Sequence, residues 1–326
     1  MRHLIISERI EALECQGAAL VIRREQASPQ TIPLRRLETL VFLHSVSLPS
    51  RLISTAGELG IALVYINSHR LRRSFAIIPP GSVLANLRLK QLLLNGDKQQ
   101  RAHWVRQGLQ IKLHYLYKQV CLCRIRRPDH RRLLTQVLGT IAKCRKELLD
   151  ARDLDALRGL EGKAQQAWFD ALRYLVPASL GFTSRQRRPP PDPVNALLSL
   201  TYTQIYLLAW EACLMVGLDP AIGFFHECAP NRQSLACDLM EPLRPEAERW
   251  VLQLFNEQVF RSRDFSVQTS SNSGNSCYLS ASALRRYQLL FEQQRNPWKR
   301  LLLKYCRTFR DQLNQWEPAW HANSNG

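Results

Sequence analysis

Four polar residues stand where their surroundings disfavour them. Asp238 and Glu241 lie three apart in Ser234-Leu235-Ala236-Cys237-Asp238-Leu239-Met240-Glu241, which puts both on one helix face inside an otherwise apolar stretch. Neighbouring carboxylates in such surroundings repel, and desolvation disfavours their charge, unless a cation holds them. His226 closes the apolar turn Ala221-Ile222-Gly223-Phe224-Phe225, so its ring should emerge at the margin of the core. Glu161 opens a helical stretch in which Leu160, Ala164, Ala167/Trp168 and Ala171 define an inward stripe, and it lies beside that stripe. Taken singly, Glu161 also reads as an acid favoured at a helix N-terminus, and His226 as a core histidine satisfied by one hydrogen bond. Together the four have the make-up of a hard divalent-cation site of the kind that cuts or joins phosphodiesters. A zinc-protease site is excluded: His226-Glu227-Cys228-Ala229-Pro230 lacks the second histidine of HExxH, and proline stops the helix that motif needs.

The charge of the chain is consistent with a polyanionic partner. Across 326 residues, 45 Lys+Arg against 27 Asp+Glu leave a net +18. The excess is local, because residues 81–160 hold 17 bases against six acids. Within that segment bases alternate with aromatics, as in His103-Trp104-Val105-Arg106, Lys112-Leu113-His114-Tyr115-Leu116-Tyr117-Lys118 and Arg124-Ile125-Arg126-Arg127. Such a mixture grips phosphates and bases together, although any one cluster also reads as a solvated helix face. Nucleic acid is therefore the expected partner. No membrane is expected: the longest apolar stretch, Ile205 to Leu218, is too short to span a bilayer and is interrupted by Glu211. The N-terminus lacks the apolar core of a signal peptide, and the nine scattered cysteines show no CxxC pair, so a reducing cytoplasm is the expected location.

These residues need elements to hold them. Leu4–Ile6, Ala18–Ile22, Thr39–Leu43 and Ile61–Ile66 are short, branched and separated by turn residues, predicting a β-rich domain over residues 1–80 with a capped helix at Ser47–Leu59. Pro79-Pro80-Gly81 marks the boundary. Over 81–326 apolar residues recur at three- and four-residue spacing, predicting a larger all-α domain. Its interruptions are a Pro-rich connection at 181–193 and a mobile polar loop at 264–276. Val194–Gly217 reads as one apolar helix, with Asp192 as its cap, Pro193 in its first turn, and Asn195 and Tyr202 as core packing. The fold class is α+β.

At this point a resemblance enters. The run Gly217-Leu218-Asp219-Pro220-Ala221-Ile222-Gly223-Phe224-Phe225-His226, then Asn231 through Pro245, resembles the signature of the CRISPR-associated integrase, the metal-dependent DNA endonuclease of spacer acquisition. So does Glu161-Gly162, with Arg187-Arg188-Pro189-Pro190-Pro191-Asp192-Pro193-Val194-Asn195 downstream. The likeness covers nearly the whole chain. It implies an N-terminal β-sandwich ahead of a helical domain, and a Mg²⁺- or Mn²⁺-dependent reaction on double-stranded or branched DNA. Glu161, His226 and Glu241 match the family's metal ligands, and Asp238 matches an acid of the same site whose coordination role varies. It further implies a homodimer, with dimerisation through the N-terminal domain, and a small ferredoxin-like companion protein. Asn231 departs from the pattern, where glycine is common, and Cys228 and Cys237 are unusual so near a metal. Arg187, Arg188 and Arg232 are candidates for DNA phosphates or for structural ion pairs. A non-catalytic nucleic-acid scaffold, with the four polar residues forming a metal-free buried network, is the alternative.

Overall fold

The computed structural model describes residues 3–6, 8–67, 71–79, 82–187, 189–230, 232–270 and 274–317. The chain forms two compact units, one from Met1–Gly96, Trp210–Ile222 and Leu303–Gly326, the other from Asp97–Ala209 and Gly223–Leu302.

The first unit holds strands β1 (His3–Ile6), β2 (Ala12–Gln16), β3 (Ala19–Arg23), β4 (Gln30–Pro33), β5 (Thr39–Phe42), β6 (Ala62–Tyr65) and β7 (Phe75–Ile77), with helices α1 (Ser50–Glu58) and α2 (Val83–Gly96). They make a four-stranded sheet in the order β1-β5-β6-β7 and a three-stranded sheet in the order β2-β3-β4. The first is mixed: β1, β5 and β6 pair in parallel, and β7 runs antiparallel to β6. The second is antiparallel throughout. Leu13 and Cys15 of β2, Leu20 and Ile22 of β3, Leu40 and Phe42 of β5, and Leu52 and Ala56 of α1 share one buried cluster. In β2 the buried residues alternate, as one covered face requires, whereas β5 buries all four of its residues and is covered on both faces. Helix α1 starts later than Ser47, because Pro49 biases Leu48 away from helical dihedrals; Gly60, at φ +67°, ends it.

The second unit is built on α3 (Lys98–Arg126), α4 (Arg131–Asp150) and α5 (Leu154–Leu175), which pack on one another, with α7 (Ser234–Met240) and α8 (Arg244–Asn256) following α6 (Pro193–Val216). Helices α6 and α9 (Ala281–Gln315) divide their residues between the units. Asp97 caps α3 by accepting from the Gln99 and Gln100 amides, and Asp153 caps α5 through the Ala156 amide. Asp192 caps α6, with Oδ1 2.9 Å from the Asn195 nitrogen.

The segment 264–276 is not a loop throughout: Phe265–Ser270 (β8) and Gly274–Leu279 (β9) form an antiparallel pair in which Val267 faces Cys277. Serine and asparagine dominate the composition and hide the β-branched Val267 and Thr269, while cross-strand pairing supplies the order. Within the 181–193 connection the described residues up to Asp192 are non-helical, Pro193 already belongs to α6, and the stretch is anchored where the Cys277 amide donates to the Pro190 carbonyl at 2.7 Å.

Candidate active site

The site forms around a lysine. Helix α3 buries Ala102, Val105, Leu109, Leu113, Leu116 and Val120 at three- and four-residue steps, and Lys112 falls in that phase with a side chain 0% exposed. Its ammonium donates to Glu161 Oε1 and, at 2.6 Å, to Glu241 Oε2. This corrects the reading of Lys112 as part of a basic, aromatic grip or a solvated face. Glu161 follows Leu157 by four residues and precedes Ala164 by three, so it lies on the buried stripe of α5 and not beside it. Its side chain is 18% exposed. Glu241 opens the short 3₁₀ turn Glu241–Leu243 between α7 and α8, and Arg244 Nη2 approaches its other oxygen at 3.1 Å.

Burial alone would raise the Glu241 carboxyl, but Arg244 and Lys112, with His226, outweigh it and bring it from 4.5 to about 2. Lys112 moves the opposite way and is raised: burial acts against its charge, and Glu241 with Glu161 overcomes that. A depressed acid contributes stability that is full above its unfolded value and lost as pH falls through its folded value. Glu241→Gln is therefore expected to be less stable than wild type at neutral pH, with the gap narrowing between pH 4.5 and about 2, as measured by denaturant unfolding across that range. A gap constant with pH would contradict the assignment.

His226 comes from a turn held on several sides. Asp238, on α7, accepts from the Phe224 and Phe225 amides through Oδ2, at 2.6 and 3.0 Å. Through Oδ1 it accepts from the His226 amide at 2.9 Å and lies 2.7 Å from His226 Nδ1. In the neutral ring that pairing places the proton on Nδ1 and the lone pair on Nε2. Arg101 of α3 donates to the Phe224 carbonyl at 2.5 Å and Arg158 of α5 to the Phe225 carbonyl at 3.0 Å, while both reach Glu227. Gly223 is required by space: a Cβ there would lie 2.6 Å from Ser234 Cβ and 2.7 Å from the Ser234 carbonyl carbon. Gly223→Ala is expected to destabilise the protein by about 1–3 kcal/mol, as overpacking does. Thermal unfolding would read it, and an unchanged melting temperature would show that the turn can move aside.

The structure thus joins Glu161 to Glu241 through Lys112, and His226 to Asp238. Although three residues apart, the two acids serve different partners, because α7 ends at Met240 and the chain turns. Arg232 donates to the Glu227 carbonyl and, at 3.2 Å, to Ser234 Oγ, within the same turn. Arg187 is exposed, and Arg188 lies outside the described residues. Neighbouring Arg185 makes the contacts in that stretch, to Asn195 Oδ1 at 2.8 Å and Ser199 Oγ at 3.1 Å.

Arg244 lies 4.9 Å from the centre of the Tyr202 ring, and the Tyr202 hydroxyl donates to Glu248 Oε1 at 2.5 Å. Gln165 donates to the same oxygen at 3.0 Å, and burial raises the Glu248 carboxyl. Sequence reasoning did not single out Lys112, Arg244 or Glu248 as parts of the site. The available signals were the buried phase of Lys112 and the three-residue step from Glu241 to Arg244.

Two carboxylates converging on one buried cation, beside an imidazole whose other nitrogen is fixed by a carboxylate, are the donor types a Mg²⁺ or Mn²⁺ centre uses. The residues fit such an ion in kind. Among the described residues, no group of three or more His, Cys, Asp and Glu is gathered closely enough to hold a metal.

The profile of the family described as CRISPR associated protein Cas1 matches residues 4–293. The chain belongs to this family. A Cas1 relative from Chlorobaculum tepidum, described as a CRISPR-associated endonuclease, is 30% identical over 274 residues, covering 81% of this chain and 78% of that protein. One from Thermodesulfovibrio yellowstonii with the same description is 39% identical over 150 residues, 45% of this chain. The chain spans only 46% of that relative's length in the match. Among solved structures, a casposase bound to integration product superposes with a TM-score of 0.80 at 21% identity, covering 97% of this chain and 96% of that one. The Cas1 protein of Thermotoga maritima gives 0.62 at 19% identity, covering 96% and 97%. At such identities the likeness is one of fold, a mixed architecture with N-terminal strands and a larger helical part. No helix among the described residues is long and apolar enough to cross a membrane.

Proposed function

We propose that this Cas1-family chain is a divalent-metal-dependent DNA endonuclease and strand-transfer integrase, which inserts short DNA fragments into a CRISPR array. The observation that carries the reading is the convergence of Glu161 and Glu241, from separate elements, on one buried cationic position. Glu161, Glu241 and His226 Nε2 would hold Mg²⁺ or Mn²⁺, which when bound polarises the scissile phosphate and stabilises the leaving oxygen. Asp238, its oxygens engaged by three backbone amides and the imidazole, orients His226 and fixes its tautomer. Arg244 holds Glu241 in its charged form, ready to ligate. In the joining step a 3′-hydroxyl of incoming DNA forms a bond to phosphorus as the bond to the departing strand's oxygen breaks in line; water in its place gives cleavage.

Arg187, Arg188 and Arg232 are proposed phosphate contacts. The basic excess over residues 81–160 supports binding of double-stranded or branched DNA. A homodimer joined to a small ferredoxin-like companion completes the proposal; fold neighbours include a complex described as Cas6-RT-Cas1--Cas2. The proposed location is the cytoplasm.

A second reading has its own observation. Lys112 already satisfies both carboxylates, as it would in a metal-free scaffold that binds nucleic acid without turnover. Joining and cleavage of a labelled branched DNA with Mn²⁺, compared between wild type and Glu161→Ala, decides between them. Equal product from both proteins sinks the catalytic reading.

A further inference from the structure

We propose that His114 and Lys118 of α3 and Arg145 of α4 form an anion site that takes a backbone phosphate of duplex DNA. The inference rests on DNA as the substrate of this chain, and it places one contact on a face that the carboxylate pair does not use. His114 follows Lys112 by two residues, roughly 200° around a helix of 3.6 residues per turn, so the two point to different sides of α3. There Arg145 Nη2 lies 3.4 Å from His114 Nδ1, and the Arg145 guanidinium stands over the Tyr117 ring at 5.7 Å from its centre. A guanidinium has only donors, so Nδ1 accepts and the neutral ring carries its proton on Nε2, which makes the imidazole a donor in either charge state. Lys118, exposed, stands one turn beyond His114 on the same face.

What marks the cluster is missing countercharge. Helix α3 contains no Asp or Glu in 29 residues. From Lys98 to Lys146 there is one acid, Asp129, which pairs with Arg127 at 2.7 Å and lies 3.2 Å from His130. The next acid along, Glu147, faces Lys143 at 3.8 Å. Among the described residues neither Lys118 nor Arg145 makes an ion pair, and the charged groups acting on His114 are Lys118 of its own helix and Arg145 of the helix packed against it, both cationic. Burial, Lys118 and Arg145 together hold its imidazole below the ordinary histidine value. Cations gathered without an acid repel one another, and a phosphate that displaces their counterions relieves that repulsion. The guanidinium is preset by the aromatic face beneath it, and three donors from two helices suit a tetrahedral group better than the two coplanar oxygens of a carboxylate.

The test is equilibrium binding of a labelled blunt duplex in EDTA, which keeps turnover out of the measurement. Wild type is compared with Lys118→Gln, Arg145→Gln and Lys143→Gln, the last removing the same charge from α4 at the residue that faces Glu147. At about 0.1 M salt each cluster variant is expected to weaken the duplex about five- to tenfold and to reduce the salt slope by about one, as loss of one phosphate contact does, while Lys143→Gln should stay within about twofold. Both cluster variants should melt at or above the wild-type temperature, because a like-charge contact is removed; Lys118→Gln, at an exposed position, decides the matter if Arg145→Gln folds poorly. The His114 titration, followed by NMR, adds a local readout: saturating duplex should raise it in wild type, since an anion at the cluster favours the charged ring. Cluster variants no weaker than Lys143→Gln, or a His114 titration unmoved by bound duplex, would overturn the site while leaving DNA as the substrate. Wild type that binds no duplex would sink the substrate reading and the site with it. A poly-glutamate that raises the His114 titration as far as DNA does would hand the cluster to an acidic protein surface and likewise overturn it.

Discussion

Glu161→Ala is expected to lower Mn²⁺-supported joining of branched DNA by about a thousandfold or more, since removing a metal-holding carboxylate takes away several kcal/mol of transition-state charge stabilisation. DNA affinity should change little, because the side chain is only 18% exposed and phosphate binding is spread over many basic residues. The informative pattern is therefore a collapse in turnover at constant Kd. Glu161→Gln keeps the volume and one hydrogen bond to Lys112 while removing the charge, so a similar collapse in that variant would assign the loss to charge and not to packing. A variant that joins DNA at the wild-type rate would return the site to a structural role.

Lys112→Met should have the largest effect on stability. The substitution keeps the stem and removes the ammonium, leaving Glu161 and Glu241 facing each other with Arg244 as the remaining cation on Glu241. Breaking a buried ion pair by deleting one partner costs about 3–5 kcal/mol, because the other charge stays desolvated. A divalent ion would offset that repulsion, so millimolar Mn²⁺ should raise the melting temperature of Lys112→Met more than that of wild type. An equal shift in both proteins would show that the carboxylates do not share an ion. The measurement needs no substrate, which separates metal binding from turnover.

Much of this arrangement was legible in the residues, for identifiable reasons. The branched runs at Leu4–Ile6, Thr39–Leu43 and Ile61–Ile66 became β1, β5 and β6, because Val, Ile and Leu leave few alternatives at that length. Strands β4 and β7, with mostly exposed residues, carry too little apolar signal to be seen before their neighbours are known. Glu161, His226, Asp238 and Glu241 were conspicuous as polar residues in apolar runs. What the spacing could not supply was their division of labour. Asp238 and Glu241 look equivalent on an ideal helix, and only the end of α7 at Met240 directs one toward the histidine turn and the other toward Lys112. Lys112 was misread because a lysine flanked by aromatics resembles a surface grip. Its buried phase shows only against the whole of α3.

That helix carries a further implication. Lys112 and Gln119 are seven residues apart, both on the covered face of a helix whose other covered positions, from Val105 to Val120, are apolar. Apolar side chains at a heptad interval tolerate sliding, since one leucine replaces another with little penalty. Here a slip by one heptad in one direction would set the uncharged amide of Gln119 between two carboxylates, and in the other it would carry the Lys112 ammonium to a buried place now held by that amide. The two polar residues therefore work as a key and its ward, permitting α3 a single axial position against α5 and the 241–243 turn.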